Sequence, residues 1–308
     1  MPTILITGGT GLIGNALTAM LVNKGYEVII LSRSLKQSSQ PSVSYAQWDV
    51  GNGLIDKEVV AKADYIIHLA GANVAEKRWT TKRKKEIVES RTKSGELLVK
   101  SLKEIPNNIK AVVSASAIGW YGADSSASLQ NGFYETAPSS PDFLGTTVQQ
   151  WEASIKPVEA SSKRLVMLRT GIVLSKEGGA YPEFKQPLKF GIAAILGSGN
   201  QVISWIHIED LCRLYIYAIE NNISGIFNAV AAKPVTNKSL TLQLAKKVRG
   251  RSFIPVHVPS FVLKIILGEM SIEVLKSATV SNSKIKDAGF QFLFPSIEAA
   301  LNDLGKNV

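Results

Sequence analysis

Short apolar runs recur along the first half of the chain, and amphipathic segments of helical period separate them. The runs at Thr3–Thr7, Glu27–Ser32, Tyr65–Leu69, Ala111–Ser116 and Leu165–Thr170 predict strands. The segments near Asn15–Lys24, Thr81–Lys103 and Phe143–Val158 predict helices. Such alternation implies a parallel sheet with right-handed crossovers, and a ligand outside the carboxyl ends of its strands. After about residue 175 the pattern changes. Residues 176–204 are rich in Gly and Pro, with Gly-Ser-Gly at 197–199. Residues 209–222 predict a helix, Ile226–Val230 a short strand and Ser239–Arg249 a helix. A Pro-bounded segment, Ile254 to Pro259, precedes an apolar helical stretch over 260–277, and residues 289–295 alternate like a strand.

The first run ends in glycines at 8, 11 and 14, and an amphipathic pattern with Ala16, Leu17, Met20 and Leu21 follows. This is strand, tight turn, helix N-terminus. Gly8 permits the turn, Gly11 lets a diphosphate approach the backbone and Gly14 lets the helix pack on the strand. The free N–H groups and positive end of that helix then hold the anion. The expected fold is α/β: a Rossmann-type doubly wound parallel sheet over residues 1–175. A smaller C-terminal α/β lid over 176–308 is partly interleaved with the sheet. The second strand ends in Leu31-Ser32-Arg33-Ser34, with no acid to select a ribose 2′-hydroxyl. Arg33 can pair with a 2′-phosphate through its planar fork, with Ser32 as a neighbouring donor, which favours NADP over NAD. At the next strand end, His68-Leu69-Ala70-Gly71-Ala72, small residues let the chain cross beneath a dinucleotide. His68 itself reads as a satisfied strand-end histidine. Asp49 reads equally as an adenine contact or as a plain turn aspartate.

The chain has 308 residues, 45% of them apolar, enough for one large or two ordinary domains. A single cysteine, Cys212, permits no intrachain disulfide and suits a reducing, cytoplasmic setting. Met1-Pro2 leads straight into a strand, so no leader peptide is expected, and no apolar run is long enough to span a bilayer. The net charge is +10, but the lysines are spread out apart from Lys77 to Lys85, and no aromatic-interleaved basic array exists. Solubility and a phosphorylated cofactor account for this charge. No nucleic-acid, membrane or metal partner is expected, and the assembly is a monomer or a homodimer.

With these motifs go Ser90-Arg91, Ser114–Gly122, Trp151-Glu152, Arg169–Leu174, Ser204–Leu211 and Gly289–Leu301. Over nearly its whole length the chain resembles the extended short-chain dehydrogenase/reductase superfamily. More closely, it resembles the atypical "epimerase family protein" branch, related to family 39U. The resemblance implies a Rossmann fold binding NADP(H), with contacts from Gly8, Gly11, Leu12, Ile13, Ser32, Arg33, Leu69 and Ala70. It adds Glu86, Arg91 reaching the diphosphate, and Val173 at the nicotinamide end. It implies Ser116 as the catalytic serine, and Tyr121 as a pocket tyrosine that could stand in for the missing acid. At the slots where the superfamily carries its Tyr-x-x-x-Lys pair this chain holds Leu144 and Val148. The arginine that grips nucleotide sugars is absent too, Ile203-Ser204 preceding Trp205-Ile206-His207, so such sugars are disfavoured. Trp205, His207, Lys185 and Gln201 are the remaining pocket candidates, with a structural role equally open to Trp205 and His207. The implied function is an oxidoreductase or epimerase-like enzyme on a small carbonyl or alcohol substrate. The alternative is a non-catalytic NADP(H) sensor or scaffold, in keeping with the cell-division label that some relatives carry.

Overall fold

A computed structural model describes residues 1–306. The strands are β1 (Thr3–Thr7), β2 (Glu27–Ser32), β3 (Val43–Asp49), β4 (Leu54–Ile55), β5 (Tyr65–His68), β6 (Ala111–Ala117), β7 (Arg164–Thr170), β8 (Ile172–Ser175), β9 (Gly178–Gly179), β10 (Ile192–Leu196), β11 (Val202–Ile203), β12 (Trp205–His207), β13 (Gly225–Ala229), β14 (Val235–Thr236) and β15 (Ile254–Val258). The helices are α1 (Leu12–Asn23), α2 (Lys57–Lys62), α3 (Thr81–Glu104), α4 (Ser126–Asn131), α5 (Phe143–Ile155), α6 (Ala180–Lys185), α7 (Ile208–Glu220), α8 (Asn237–Arg249), α9 (Ser260–Leu267), α10 (Ser271–Leu275), α11 (Ser283–Asp287) and α12 (Ile297–Leu304).

The main sheet runs β13-β7-β6-β5-β1-β2-β3-β4, every neighbouring pair parallel except β3 with β4. Its central strands are buried on both faces, as continuous apolar runs such as Ile4-Leu5-Ile6 require. One face packs Ile4, Ile6 and Ile30 against Leu17 and Leu21 of α1 and Leu214 of α7. The other packs Leu5, Ile29 and Ile66 against Leu98 and Leu102 of α3 and Ile155 of α5. A third core, around Trp205, Tyr181, Leu240 and Leu301, lies in the second half of the chain. The strand order reverses between β1 and β5, so the carboxyl ends of those two strands flank the switch point where a ligand is expected.

Several elements differ from the sequence expectation. Strand β3 has no counterpart in it, because Val43, Ala46 and Trp48 are buried between polar residues and form no apolar run. Residues 289–295 form no strand. The Asp210 carboxylate accepts from the N–H groups of Leu293 (2.8 Å) and Phe294 (2.9 Å), and those donors therefore join no ladder. The apolar stretch over 260–277 breaks at Gly268 (φ +63°) into α9, a 3₁₀ turn and α10. Helix α5 gives way to a 3₁₀ turn where Pro157 enters. The Pro-bounded segment becomes β15, paired in parallel with β10. Where the expectation left the interleaving of the second half unspecified, β13 joins the main sheet, in register with β7 from Gly225↔Val166 to Ala229↔Thr170.

Candidate functional site

The turn after β1 is shaped by what it lacks. Gly8 has φ +68°, and a Cβ there would stand 2.8 Å from the Leu69 carbonyl group across the switch point. A Cβ at Gly14 would stand 2.5 Å from Gly9 Cα, so α1 rests directly on the turn. A Cβ at Gly11 would meet only Gly8 O, at 3.4 Å, and the position is exposed. Gly11 is the N-cap of α1, with no side-chain cap and no acid in the first turn. The first N–H groups of α1 and its positive end are therefore offered to an anion.

Beneath the turn, His68 ties β1 to β5. The Thr7 hydroxyl accepts from the N–H groups of Leu69 (3.1 Å) and Ala70 (3.2 Å), so its proton turns to His68 Nδ1 (2.7 Å). The ring hydrogen then sits on Nε2, facing Ser94 Oγ at 3.4 Å, and Ser94 donates onward to Arg91 O at 2.9 Å. Burial pulls the imidazole down to about 3, so it stays neutral. His68 holds the floor of the site, as a strand-end histidine should.

At the end of β2, Ser32 Oγ accepts from Ser34 N (3.3 Å). Arg33 is exposed, with no carboxylate in ion-pair range among the described residues. Asp49 is held in a turn: Asn52 donates to it from Nδ2 (2.8 Å) and N (3.1 Å), which holds its carboxyl below the usual range. On α3, Glu86 is exposed and paired with Arg83 at 2.7 Å, so it leaves Arg91 alone. The Arg91 guanidinium lies against Gly71, over the Trp151 ring at 4.9 Å, donating to Ile87 O at 2.9 Å. Burial, then the charge of Arg83, brings it down to about 10, and no described carboxylate pairs with it. The antiparallel turn from β8 to β9 brings Gly178 and Gly179 against the Leu12 side chain, with Val173 at its base. A glycine turn open at Gly11, an uncapped helix start and two carboxylate-free guanidiniums, at Arg33 and Arg91, fit a phosphorylated dinucleotide.

The second set of candidates lies deeper. Ser116, at the end of β6, donates to Glu152 Oε1 at 2.6 Å and is buried. Glu152 on α5 is gripped in two places by Arg169 of β7, Nε–Oε1 2.8 Å and Nη2–Oε2 2.9 Å. Arg169 Nη1 donates to the Tyr121 hydroxyl (3.1 Å) and to Glu135 O (3.1 Å), and the guanidinium stacks on Trp120 at 3.8 Å. Tyr121 donates to Asn228 Oδ1 at 2.7 Å, and the Asn228 N–H donates to Glu135 Oε1 at 2.8 Å. Tyr121 is fully buried, so it lines no open pocket, and burial outweighs Arg169 to raise its hydroxyl above the ordinary tyrosine value. Both residues expected to act on substrate are thus spent inside one polar network. The sequence reading missed that network. Its signals were a lone arginine inside the apolar strand 165–170 and the glutamate after Trp151. Leu144 faces the Gly119 turn and Val148 is buried, so neither slot offers a proton.

The remaining candidates are mostly structural. Trp205 is fully buried and donates from Nε1 to Lys233 O (3.0 Å). His207 caps α7 by accepting from Glu209 N (3.2 Å), and its ring lies 3.9 Å from that of Phe294. Gln201 Nε2 is tied to Leu196 O and Val274 O. Lys185 alone stays partly exposed, at the end of α6, 5.9 Å from the Tyr181 ring centre. No cluster of three or more metal-ligating side chains occurs among the described residues.

Residues 4–145 match the NAD dependent epimerase/dehydratase family, and residues 258–304 match a domain of unknown function, DUF1731. The epimerase family protein YfhF of Bacillus subtilis (strain 168) is 37% identical over 306 residues, covering 98% of this chain and 97% of its own. The crystal structure of human epimerase family protein SDR39U1 (isoform 2) with NADPH superposes with a TM-score of 0.86 at 32% identity, covering 99% of this chain and 100% of that one. UDP-glucuronic acid 4-epimerase of Bacillus cereus, solved with UDP-glucuronic acid and NAD, shares the fold: TM-score 0.77 at 19% identity, covering 98% of both chains.

Proposed function

The chain belongs to the epimerase family of proteins, and on that premise we propose that it binds NADP(H) across the carboxyl ends of β1, β2 and β5. The observation that carries this reading is the uncapped start of α1 at Gly11, with Arg33 standing free at the next strand end. The α1 N-terminus and Arg91 take the diphosphate, and Arg33 with Ser32 takes the 2′-phosphate. Thr7 and His68 fix the floor, while Leu12, Ile13, Leu69, Ala70 and Val173 supply backbone and apolar contacts. Cytoplasmic residence is part of the reading, in keeping with a single, buried cysteine. The NADPH-bound SDR39U1 structure supports the choice of cofactor.

Binding without turnover fits this geometry better than hydride transfer. The Ser116 proton points at Glu152, the Tyr121 hydroxyl is held between Arg169 and Asn228, and both are sealed from solvent. A sensor or scaffold needs no proton donor. The second reading, an oxidoreductase or epimerase-like enzyme on a small carbonyl or alcohol, rests on the placement of Ser116 at the carboxyl end of β6. When bound, the dinucleotide supplies a hydride. Ser116 would then have to turn from Glu152 to polarise the substrate oxygen.

Calorimetry with NADPH and NADH tests the cofactor: Arg33→Asp is expected to weaken NADPH by roughly ten-fold or more relative to NADH. Equal losses for both would refute the 2′-phosphate assignment, and no heat with either would refute binding. NADPH consumption across a carbonyl panel separates the two readings. Turnover abolished by Ser116→Ala would overturn the binding-only reading.

A further inference from the structure

Residues 221–268 carry seven lysines and arginines and no aspartate or glutamate. Along the sequence these cations look scattered, but the fold gathers several of them beside an apolar surface. Strand β15 pairs with β10 so that Ile254 lies beside Ile192 and Val256 beside Ala194. Phe190 is 81% exposed and Ile254 69%. The chain continues from β15 into α9, where Phe261 (65%) and Ile265 (68%) stand one turn apart in the open while Leu263 anchors the helix to the body. Monomeric proteins rarely leave such a concentration of large apolar side chains in water without a use for it.

Cations rim this surface. Arg249 lies against Gly191, between Phe190 and Ile192, and Lys264 occupies the exposed side of α9 between Phe261 and Ile265. Lys189, Arg249, Arg251 and Lys264 are exposed, and among the described residues none of them has a carboxylate within ion-pair range. In the basic run at the start of α3, by contrast, Lys84 is taken by Glu269 and Lys85 by Glu89. Four cations without a carboxylate partner thus stand beside the exposed apolar residues.

We propose that the surface of β10, β15 and α9 docks peripherally on an anionic lipid bilayer, the apolar side chains entering the interface and the free cations meeting the headgroups. This replaces the expectation of no membrane partner. That expectation rested on the spread of lysines in the sequence and the lack of a spanning run, and peripheral docking needs no span. A second copy of the chain suits the surface poorly. An isologous contact would set the same unpaired cations against each other. The open edge of β15 is also blunted, because Ile254 N points inward to Gly191 O (2.8 Å) and Pro255 removes the next, outward donor. The proposal does not depend on the cofactor reading.

Co-sedimentation of the full chain with vesicles tests it, using phosphatidylcholine alone and phosphatidylcholine with roughly one-third phosphatidylserine. Partitioning onto the anionic vesicles is expected to exceed that onto the neutral ones by at least about ten-fold, and to weaken with salt. Phe261→Ser with Ile265→Ser, and separately Arg251→Glu with Lys264→Glu, should each lower it by about ten-fold. All four side chains are exposed, so thermal unfolding should be unchanged, which separates loss of docking from loss of fold. Equal partitioning onto both vesicles would overturn the proposal. So would salt-sensitive binding indifferent to Phe261→Ser with Ile265→Ser, which is basic adsorption alone. So would a dimer in light scattering that the same pair dissolves, or retention by polyglutamate without vesicle binding.

Discussion

Glu152 and Arg169 meet inside the protein with almost no solvent contact, so each charge depends on the other. Glu152→Gln keeps the shape but strands a buried guanidinium, and is expected to cost about 3 kcal/mol in urea unfolding. A loss under about 1 kcal/mol would mean that water reaches Arg169. His68 sets a second residue-scale expectation. Its imidazole titrates at about 3 in the folded chain against 6.5 unfolded, so the unfolded state binds the extra proton between those values. Its contribution to stability is complete above pH 6.5 and drains away as pH falls toward 3, by about 1.4 kcal/mol per pH unit. His68→Asn should flatten that slope, measured as the difference between wild type and variant from pH 7 to 4. Of these residues, His68 was legible because its role follows from standing at a strand end. The Glu152–Arg169 pair was not, because it joins a helix to a strand through tertiary packing that no local spacing announces. Tyr121 misled for the same reason: its position in the chain matches a pocket tyrosine, while the second half of the chain, through Asn228, closes over it.

The glycine turn lets the element scale be tested by two methyl groups. Gly14→Ala drives a carbon into the Gly8–Gly9 backbone and should destabilise the fold by about 1–3 kcal/mol. Gly11→Ala meets only Gly8 O at ordinary contact distance, so stability should change by less than about 1 kcal/mol. The same methyl occupies the approach to the α1 N–H groups, and NADPH affinity should fall by at least about ten-fold. Thermal unfolding and calorimetry on the two variants check this opposition. Parallel strands buried on both faces announced themselves as apolar runs, and so did the helices between them. Strand β3 did not, since Ser44, Gln47 and Asp49 break up its apolar residues. The 289–295 segment gave a false signal: its phenylalanines alternate into the core, but Asp210 takes the backbone donors that a ladder would need.

At the scale of the molecule, the proposed site would couple ligand binding to folding through the turns after β1 and β5. NADPH at 100 times its Kd should raise stability by about 2.7 kcal/mol. Amides that exchange by global unfolding should slow everywhere by that amount, and those that exchange by local opening should slow most at Gly9–Ile13 and Leu69–Ala72. No excess slowing at these two turns would point to a different site. The alternation of the first half foretold the layered architecture, but the ownership of β13 was hidden, because which edge a short strand joins depends on the whole sheet. That ownership has a bearing on synthesis. As the chain leaves the ribosome, β7 is finished well before β13 and α7 exist, and its outer backbone row stands bare to any passing strand. A fragment ending after β7 would carry this sticky border permanently and clump. In the intact chain, the late-arriving tail acts as the molecule's own chaperone by occupying the vacancy first.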